Sequence, residues 1–215
     1  RALPAGSRRA DAPMIAVNCA AIPENLLEGI LFGTVKGAYT DAPDKPGLFE
    51  KANCGTLLFD ELNSMSLGLQ AKLLRVLQEK EVRRVGSTTV IPIDVRVISA
   101  TNVNIQQQIQ GGKFRSDLLY RLNTLEIHIP PLRERPEDIL PLIEHQMRII
   151  AAEQGTTPPE LTPEAQELLK QYRWPGNVRE LRNICERIVV MSSSRTVDQS
   201  TLMDLHIFRE LPPEP

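Results

Sequence analysis

Several things are missing from this sequence, and each absence narrows what it can be. Charge of one sign is not in excess: 25 Lys and Arg face 27 Asp and Glu, a formal net charge of −2. The chain as a whole is therefore no nucleic-acid-binding polycation. Cysteine is sparse and odd in number, and Cys19, Cys54 and Cys185 form no Cys-x-x-Cys pair. With no signal peptide visible, they read as reduced thiols of a cytoplasmic protein. No apolar run approaches the length of a membrane span, so no membrane partner is expected. The start, Arg1-Ala2-Leu3, has neither an initiator Met nor a targeting pattern, and the chain reads as an excised piece. Nor does a Gly-x-x-x-x-Gly-Lys-Ser/Thr occur anywhere. That is the loop whose backbone amides and lysine cradle nucleotide phosphates.

What is present suits one large domain, or a domain with a small satellite: 215 residues, 41% of them hydrophobic. The stretch Gly55-Thr56-Leu57-Leu58-Phe59-Asp60-Glu61 organises the rest. A short apolar run bounded by turn formers reads as a strand buried on both faces, the parallel-sheet pattern. Ligands of open α/β sheets bind beyond the carboxyl ends of such strands. Asp60 would reach a magnesium ion there and Glu61 a water beside it, since Mg²⁺ prefers one or two carboxylates plus substrate phosphates and waters. This is the shape of a Walker B segment; alone, it reads equally as an acidic turn after a core strand. Val95-Arg96-Val97-Ile98-Ser99-Ala100-Thr101-Asn102 is a second buried strand with a polar carboxyl end. Two such ends at one sheet edge make a site by convergence.

The remaining segments fall into order around these strands. Residues 1–13 are a polar connector, and Met14 to Cys19 is a short strand ended by Asn18. Residues 23–32 predict a helix with Leu26, Leu27, Ile30 and Leu31 on its apolar face. Gly33 to Pro46 breaks the pattern. A helix over 66–79 shows Leu69, Leu73, Val76 and Leu77 on one face and reads as scaffold. Residues 80–94 suggest a hairpin around Gly86, in which Arg83-Arg84 reads as a solvated face. Leu125 to Ile129 is expected as a final strand, stopped by Pro130-Pro131. Helices follow at 136–153, 163–172 and 177–192, with a short one at 198–205. Pro136 and Pro163 stand at helix starts, where proline is favoured. Residues 211–215 look like a linker.

The segments Val17-Asn18-Cys19-Ala20-Ala21, Leu31-Phe32-Gly33, Gly37-Ala38-Tyr39-Thr40-Asp41-Ala42, Gln70 to Gln78, Ser99 to Asn102, Phe114 to Leu122 and Trp174 to Leu181 occur in one order with Asp60-Glu61 between them. Together they resemble the central AAA+ ATPase domain of sigma-54-dependent transcription activators, the bacterial enhancer-binding proteins, over nearly the whole length. The resemblance implies an α/β fold: an AAA+ parallel sheet in residues 1–132 and a small all-helical lid in 133–210. It puts the P-loop just before Arg1, so that this chain alone, lacking the cradle and its strand, is expected to bind ATP poorly.

It also implies roles. Asp60 holds Mg²⁺ and Glu61 the attacking water. Asn18 is a switch restraining Glu61, and Asn102 is the first sensor of the γ-phosphate. Arg115 and Arg121 are arginine fingers reaching a neighbouring subunit's ATP, and Arg179 is the second sensor, on the lid. Gly37, Ala38, Tyr39, Thr40, Asp41 and Ala42 form the loop that touches sigma-54. Tyr39 replaces the family's Phe there, and Asp41 replaces its second Gly. The implied function is an ATP-dependent activator of sigma-54 RNA polymerase holoenzyme, working as a homo-oligomeric ring (hexamer or heptamer) and contacting DNA through a domain not in this chain. The alternative is a non-hydrolysing AAA+-like interaction module. Plainer readings of single residues stand beside these: Asn18 satisfying backbone groups at a strand end, Arg115 and Arg121 as surface ion-pair partners, Arg179 as a surface residue, and Gly37–Ala42 as an ordinary exposed loop.

Overall fold

The computed structural model describes residues 6–40, 42–192 and 195–205. The chain divides into two compact units, Arg1–Glu126 and Ile127–Pro215.

The first unit is built on three parallel strands. β1 (Met14–Asn18) starts the chain's regular structure, followed by α1 (Glu24–Phe32), the strand pair β2 (Gly33–Thr34) and β3 (Lys45–Pro46), and the short α2 (Leu48–Lys51). β4 (Thr56–Asp60) leads through a 3₁₀ turn, Leu62–Ser64, to α3 (Leu67–Glu79). The hairpin strands β5 (Glu81–Val82) and β6 (Ile91–Pro92), then β7 (Arg96–Ser99), α4 (Ile105–Gln110) and α5 (Ser116–Leu122), complete it. The sheet order is β1-β4-β7, so the strand carrying the acids is central. Its register pairs Asn18 with Asp60 and Phe59 with Ser99.

Alternation along β4 decides what the sheet buries, because successive side chains point to opposite faces. Leu57 and Phe59 are fully buried and share a core with Val17, Leu27, Leu31 and Leu73. Phe32, Phe49 and Phe59 form a chain of rings with centroids 5.8 and 6.0 Å apart. Leu58, on the other face, is only half-buried, beside exposed Ala16 and half-buried Ile98. Burial on both faces, expected from the apolar run, is thus complete on one face only; on the other Thr56 is buried but Leu58 is half-buried and Asp60 exposed. Run length alone does not report whether both faces are covered.

Helix α1 differs from expectation in phase: Leu27, Leu31 and Phe32 are buried, while Leu26 and Ile30 are exposed. In α3, Ser66 caps the first turn through the Leu69 amide, and Leu69, Gln70, Leu73, Leu74 and Val76 are buried. The strand expected at 125–129 does not form. Leu125, Ile127 and Ile129 are 79, 59 and 73% exposed, and no described strand pairs with them. A strand's backbone groups need a partner, and alternating apolar residues do not supply one.

The second unit contains α6 (Ile139–Glu153), β8 (Glu160–Leu161), α7 (Pro163–Gln171), α8 (Asn177–Met191), β9 (Thr196–Val197) and α9 (Gln199–Asp204). It is helical apart from the two-residue parallel pair β8–β9, which ties the approach to α7 to the approach to α9. Thr162 caps α7 and Pro163 opens it. Trp174 is fully buried, and its indole N–H donates to the Leu169 carbonyl at 2.9 Å. The expected linker, 211–215, lies outside the described residues.

Candidate functional site at the carboxyl ends of the sheet

The ends of β4 and β7 are stitched together past the last ladder bonds. Ala100 N donates to Phe59 O at 2.8 Å, and Leu62 N to Ala100 O at 3.2 Å. Between them the chain turns at Glu61, whose φ of 52° and ψ of 46° are left-handed. For a non-glycine residue that conformation costs about 1–2 kcal/mol. Its consequence is a half-buried Glu61 whose Oε1 accepts a hydrogen bond from Asn102 Nδ2 at 3.2 Å. Close by, Thr101 Oγ1 donates to Asn63 Oδ1 at 2.9 Å. Asp60 is exposed; its Oδ1 accepts the Glu61 amide at 3.1 Å. The structure therefore brings Asp60, Glu61 and Asn102 to one edge.

Asn18 also stands at this edge, opposite Asp60, but its side chain is used locally. Its Oδ1 accepts the amides of Ala20 and Ala21 at 2.9 and 3.1 Å, turning the chain out of β1. The hydrogen bond to Glu61 comes from Asn102. Beside Asn18, burial pushes the Cys19 thiol up to about 12, with the Asp60 and Glu61 carboxylates adding to the effect. Cys19 N donates to Asp60 O at 2.9 Å, extending the β1–β4 pairing beyond the strands.

The donor set fits magnesium only as a shared ion. Among the described residues no group of three or more His, Cys, Asp or Glu side chains could hold a metal. A single exposed carboxylate, Asp60, suits an ion whose other ligands are phosphates and waters.

Arg115 and Arg121 bracket α5. Arg115 is the residue before the helix, and its guanidinium forks onto Asp117, Nε to Oδ1 at 3.0 Å and an Nη to Oδ2 at 2.7 Å. That fork holds the Asp117 carboxyl below its usual range and raises Arg115. Arg121, in the last turn, donates to the Leu77 carbonyl at 2.9 Å. Each has its own partner, and they are not paired with each other.

In the second unit, Arg179 lies in the first turn of α8 and is exposed. Two left-handed residues, Trp174 and Asn177, shape the turn before it. Glu180 fixes that turn: its Oε2 accepts the Gly176 amide and its Oε1 the Tyr172 hydroxyl, both at 2.9 Å. Burial and that carboxylate push the Tyr172 phenol up to about 12.

The loop between β2 and β3 leaves the first unit through its own two-residue ladder. Thr34 Oγ1 donates to Pro43 O at 2.6 Å. Gly37, at φ 84°, turns the chain outward and Tyr39 is 52% exposed. Ala42 is 5% exposed and belongs to the loop's base, not its tip. Asp41 lies outside the described residues. The loop leans on the hairpin: Val35 N donates to Val85 O at 3.2 Å, and Val85 N to Gly33 O at 2.9 Å. Arg84, expected to be a solvated charge, bridges Glu50 at 2.7 Å and Asp44 at 2.6 Å. Sequence reasoning also missed Gln70, a fully buried amide amid the apolar face of α3. Its position between Leu69 and Leu73 was the available signal.

Comparison with known proteins bears on both units. A family model described as the sigma-54 interaction domain matches residues 1–128, and one described as an AAA+ ATPase lid domain matches 133–210. The regulatory protein AtoC of Escherichia coli is 51% identical over 194 residues, 90% of this chain and 42% of its own length. The transcriptional regulatory protein XylR of Pseudomonas putida is 50% identical, over 87% of this chain and 33% of its own. The crystal structure of NtrX from Brucella abortus in complex with ADP superposes with a TM-score of 0.86 at 38% identity, covering 95% of this chain and 45% of that one. The chain thus spans less than half the length of each of these three relatives. With its parallel sheet, its helical second unit and matches across both, the chain belongs to the sigma-54 interaction domain family of AAA+ proteins.

Proposed function

We propose that this chain is the motor domain of a sigma-54-dependent transcription activator, hydrolysing ATP to remodel a promoter-bound sigma-54 RNA polymerase. The observation that carries the reading is the Asn102–Glu61 hydrogen bond beside Asp60 at the carboxyl ends of two adjacent parallel strands. A carboxylate held by a polar neighbour is poised to orient water, and the neighbour senses what arrives beyond it. Relatives named as sigma-54-dependent activators support the reading, among them SfnR of Pseudomonas putida at 49% identity. NtrX was solved with ADP and with ATP, which supports nucleotide as the ligand.

In this mechanism Asp60 would hold a Mg²⁺ ion, which would supply charge neutralisation at the phosphates. Glu61 orients the attacking water, and Asn102 holds Glu61 in place. Arg115 and Arg121 leave their present partners to meet the phosphates bound by the next subunit of a hexameric or heptameric ring. Arginine suits that role, since its planar fork is always charged and binds phosphate oxygens bidentately. Arg179 grips the nucleotide from the lid. Asn18, at the same edge, is the switch that restrains Glu61, a role that requires its side chain to leave the Ala20 and Ala21 amides. The phosphate cradle comes from chain preceding Arg1, and the Gly37–Ala42 loop carries the sigma contact. DNA is reached through another domain. Work on RNA polymerase would place the protein in the cytoplasm; among the described residues no helix is long and apolar enough to cross a membrane.

The test is ATP turnover by the full-length protein and its Glu61→Gln variant. Turnover by the parent, with loss of turnover but retained ATP binding in the variant, is expected. A full-length protein that stays inert with sigma-54 polymerase present, or a variant that turns over normally, refutes the proposal.

A further inference from the structure

Gln70 is the only polar side chain on the buried face of α3, and it is fully enclosed. Burying an amide is unfavourable unless its hydrogen bonds are made. Here three of the four it can form go to backbone groups. Its Nε2 donates to Met65 O at 2.8 Å and to Lys113 O at 3.0 Å, and its Oε1 accepts the Arg115 amide at 2.8 Å. These contacts join two remote pieces of chain. Met65 closes the 3₁₀ turn that follows Glu61, through its own amide to Leu62 O at 3.1 Å. Arg115 is the residue before α5, with a side chain free of the core and no side-chain cap. Among the described residues, Gln70 is the partner that fixes its peptide N–H.

We propose that Gln70 is the positioning residue for Arg115, clamping the backbone of a trans-acting arginine to the turn behind Asp60-Glu61. The proposal rests on the reading of Arg115 as acting on the neighbouring subunit's nucleotide. Phe114, buried at 4% exposure, anchors the preceding position, but an apolar anchor sets depth and not the direction of a peptide plane. The amide sets that direction, and the guanidinium is carried from it on a flexible stem. An arginine must meet phosphate oxygens within hydrogen-bonding distance, and misplacement by about 1 Å can lower a rate by about 100-fold.

The experiment uses the full-length protein with Gln70→Met, which keeps volume and removes the amide. Turnover at saturating ATP should fall about 10- to 100-fold, with affinity for a fluorescent ATP analogue unchanged within about threefold. The double variant with Arg115→Ala should be no slower than Arg115→Ala alone, because both act through one group. Mixing Gln70→Met subunits with Glu61→Gln subunits should restore part of the activity. Undiminished turnover in Gln70→Met, a loss additive with Arg115→Ala, or lost ATP affinity would each overturn the proposal. If Arg115→Ala itself keeps wild-type turnover, the reading of Arg115 fails and this proposal with it. If Arg115→Ala is inactive and Gln70→Met is not, only the role of Gln70 fails. Should Gln70→Met not fold, amide hydrogen exchange on the unmodified protein decides. The Arg115 amide should exchange at least about tenfold more slowly than that of Ser116, and equal exchange overturns the clamp.

Discussion

Gly33 and Gly37 open the same loop, both at positive φ, 87° and 84°, yet their surroundings differ sharply. At Gly37 an added Cβ meets nothing within 4 Å; at Gly33 it would sit 2.7 Å from Gly47 N and 2.8 Å from Lys45 O. Those backbone atoms lie on and beside β3, which pairs with β2 through Gly33 itself. Gly33→Ala therefore imposes two costs. The backbone, at φ 87° and ψ 170°, lies in a region essentially reserved for glycine and costs about 1–3 kcal/mol to occupy. Relief of the overlap then means moving β3 away, at about 1 kcal/mol for each hydrogen bond lost. The sum is roughly 3 kcal/mol, against about 1–2 kcal/mol for Gly37→Ala.

Opening of the loop base is read by amide hydrogen exchange at Val35 and Val85, whose bonds cross this junction. Gly33→Ala should speed that exchange at least about 100-fold and Gly37→Ala by about 5- to 30-fold. The single Trp, buried in the second unit, serves as an internal control whose fluorescence should not change. Capture of sigma-54 by the full-length protein should fall with the exchange protection. Equal exchange in the two variants would refute the idea that close backbone approach at Gly33 closes the loop.

Other consequences can be checked directly. Arg115→Ala and Arg121→Ala should each abolish most ATP turnover in the full-length protein while leaving ATP binding nearly intact. Mixing either with Glu61→Gln should recover some activity, and failure at every ratio would mean that the arginines act in cis or only structurally. Iodoacetamide at mildly alkaline pH should label exposed Cys54 and spare Cys19 and Cys185, which are buried and both pushed up to about 12; mass spectrometry of the intact fold shows which. The hydrogen bond from Arg84 is the main cause that holds the Glu50 carboxyl below its ordinary 4.5. A depressed carboxyl stabilises the fold above its unfolded value and loses that contribution as pH falls through the folded one. Urea midpoints of wild type and Glu50→Gln should therefore differ at neutral pH and begin to converge as the pH falls below about 4.5. A gap that persists unchanged in acid would show that the ion pair is not its source.

Much of the fold was legible where local pattern and local structure share a cause. The apolar run at Leu57–Phe59, Thr162-Pro163 and the turn at Gly86 each carry their determinant within a few residues. The strand at 125–129 had the same kind of pattern and did not form, since pairing is a property of two segments. The phase of α1 was misjudged for a related reason: Leu26 and Leu27 are equally apolar, and only the packed sheet chooses between them. Arg84 and Gln70 were misread because a charge in a basic pair and a polar residue in a helix carry no mark of their partners.

The sequence by itself determined which chemistry is available: Asp60 and Glu61 after a core strand, Asn102 after another, and arginines flanking a short helix. Covalent neighbours and turn-forming residues place those groups at element ends without reference to the rest of the chain. Tertiary structure decided which of them meet. Asn102 is 41 residues from Glu61 and reaches it because β4 and β7 run parallel in adjacent register, bringing their carboxyl ends together. Asn18 lies at the same edge, but its side-chain Oδ1 accepts the nearby amides of Ala20 and Ala21. A side chain's hydrogen-bonding capacity is written in its identity; its partner is set by the geometry of strands joined through long connections.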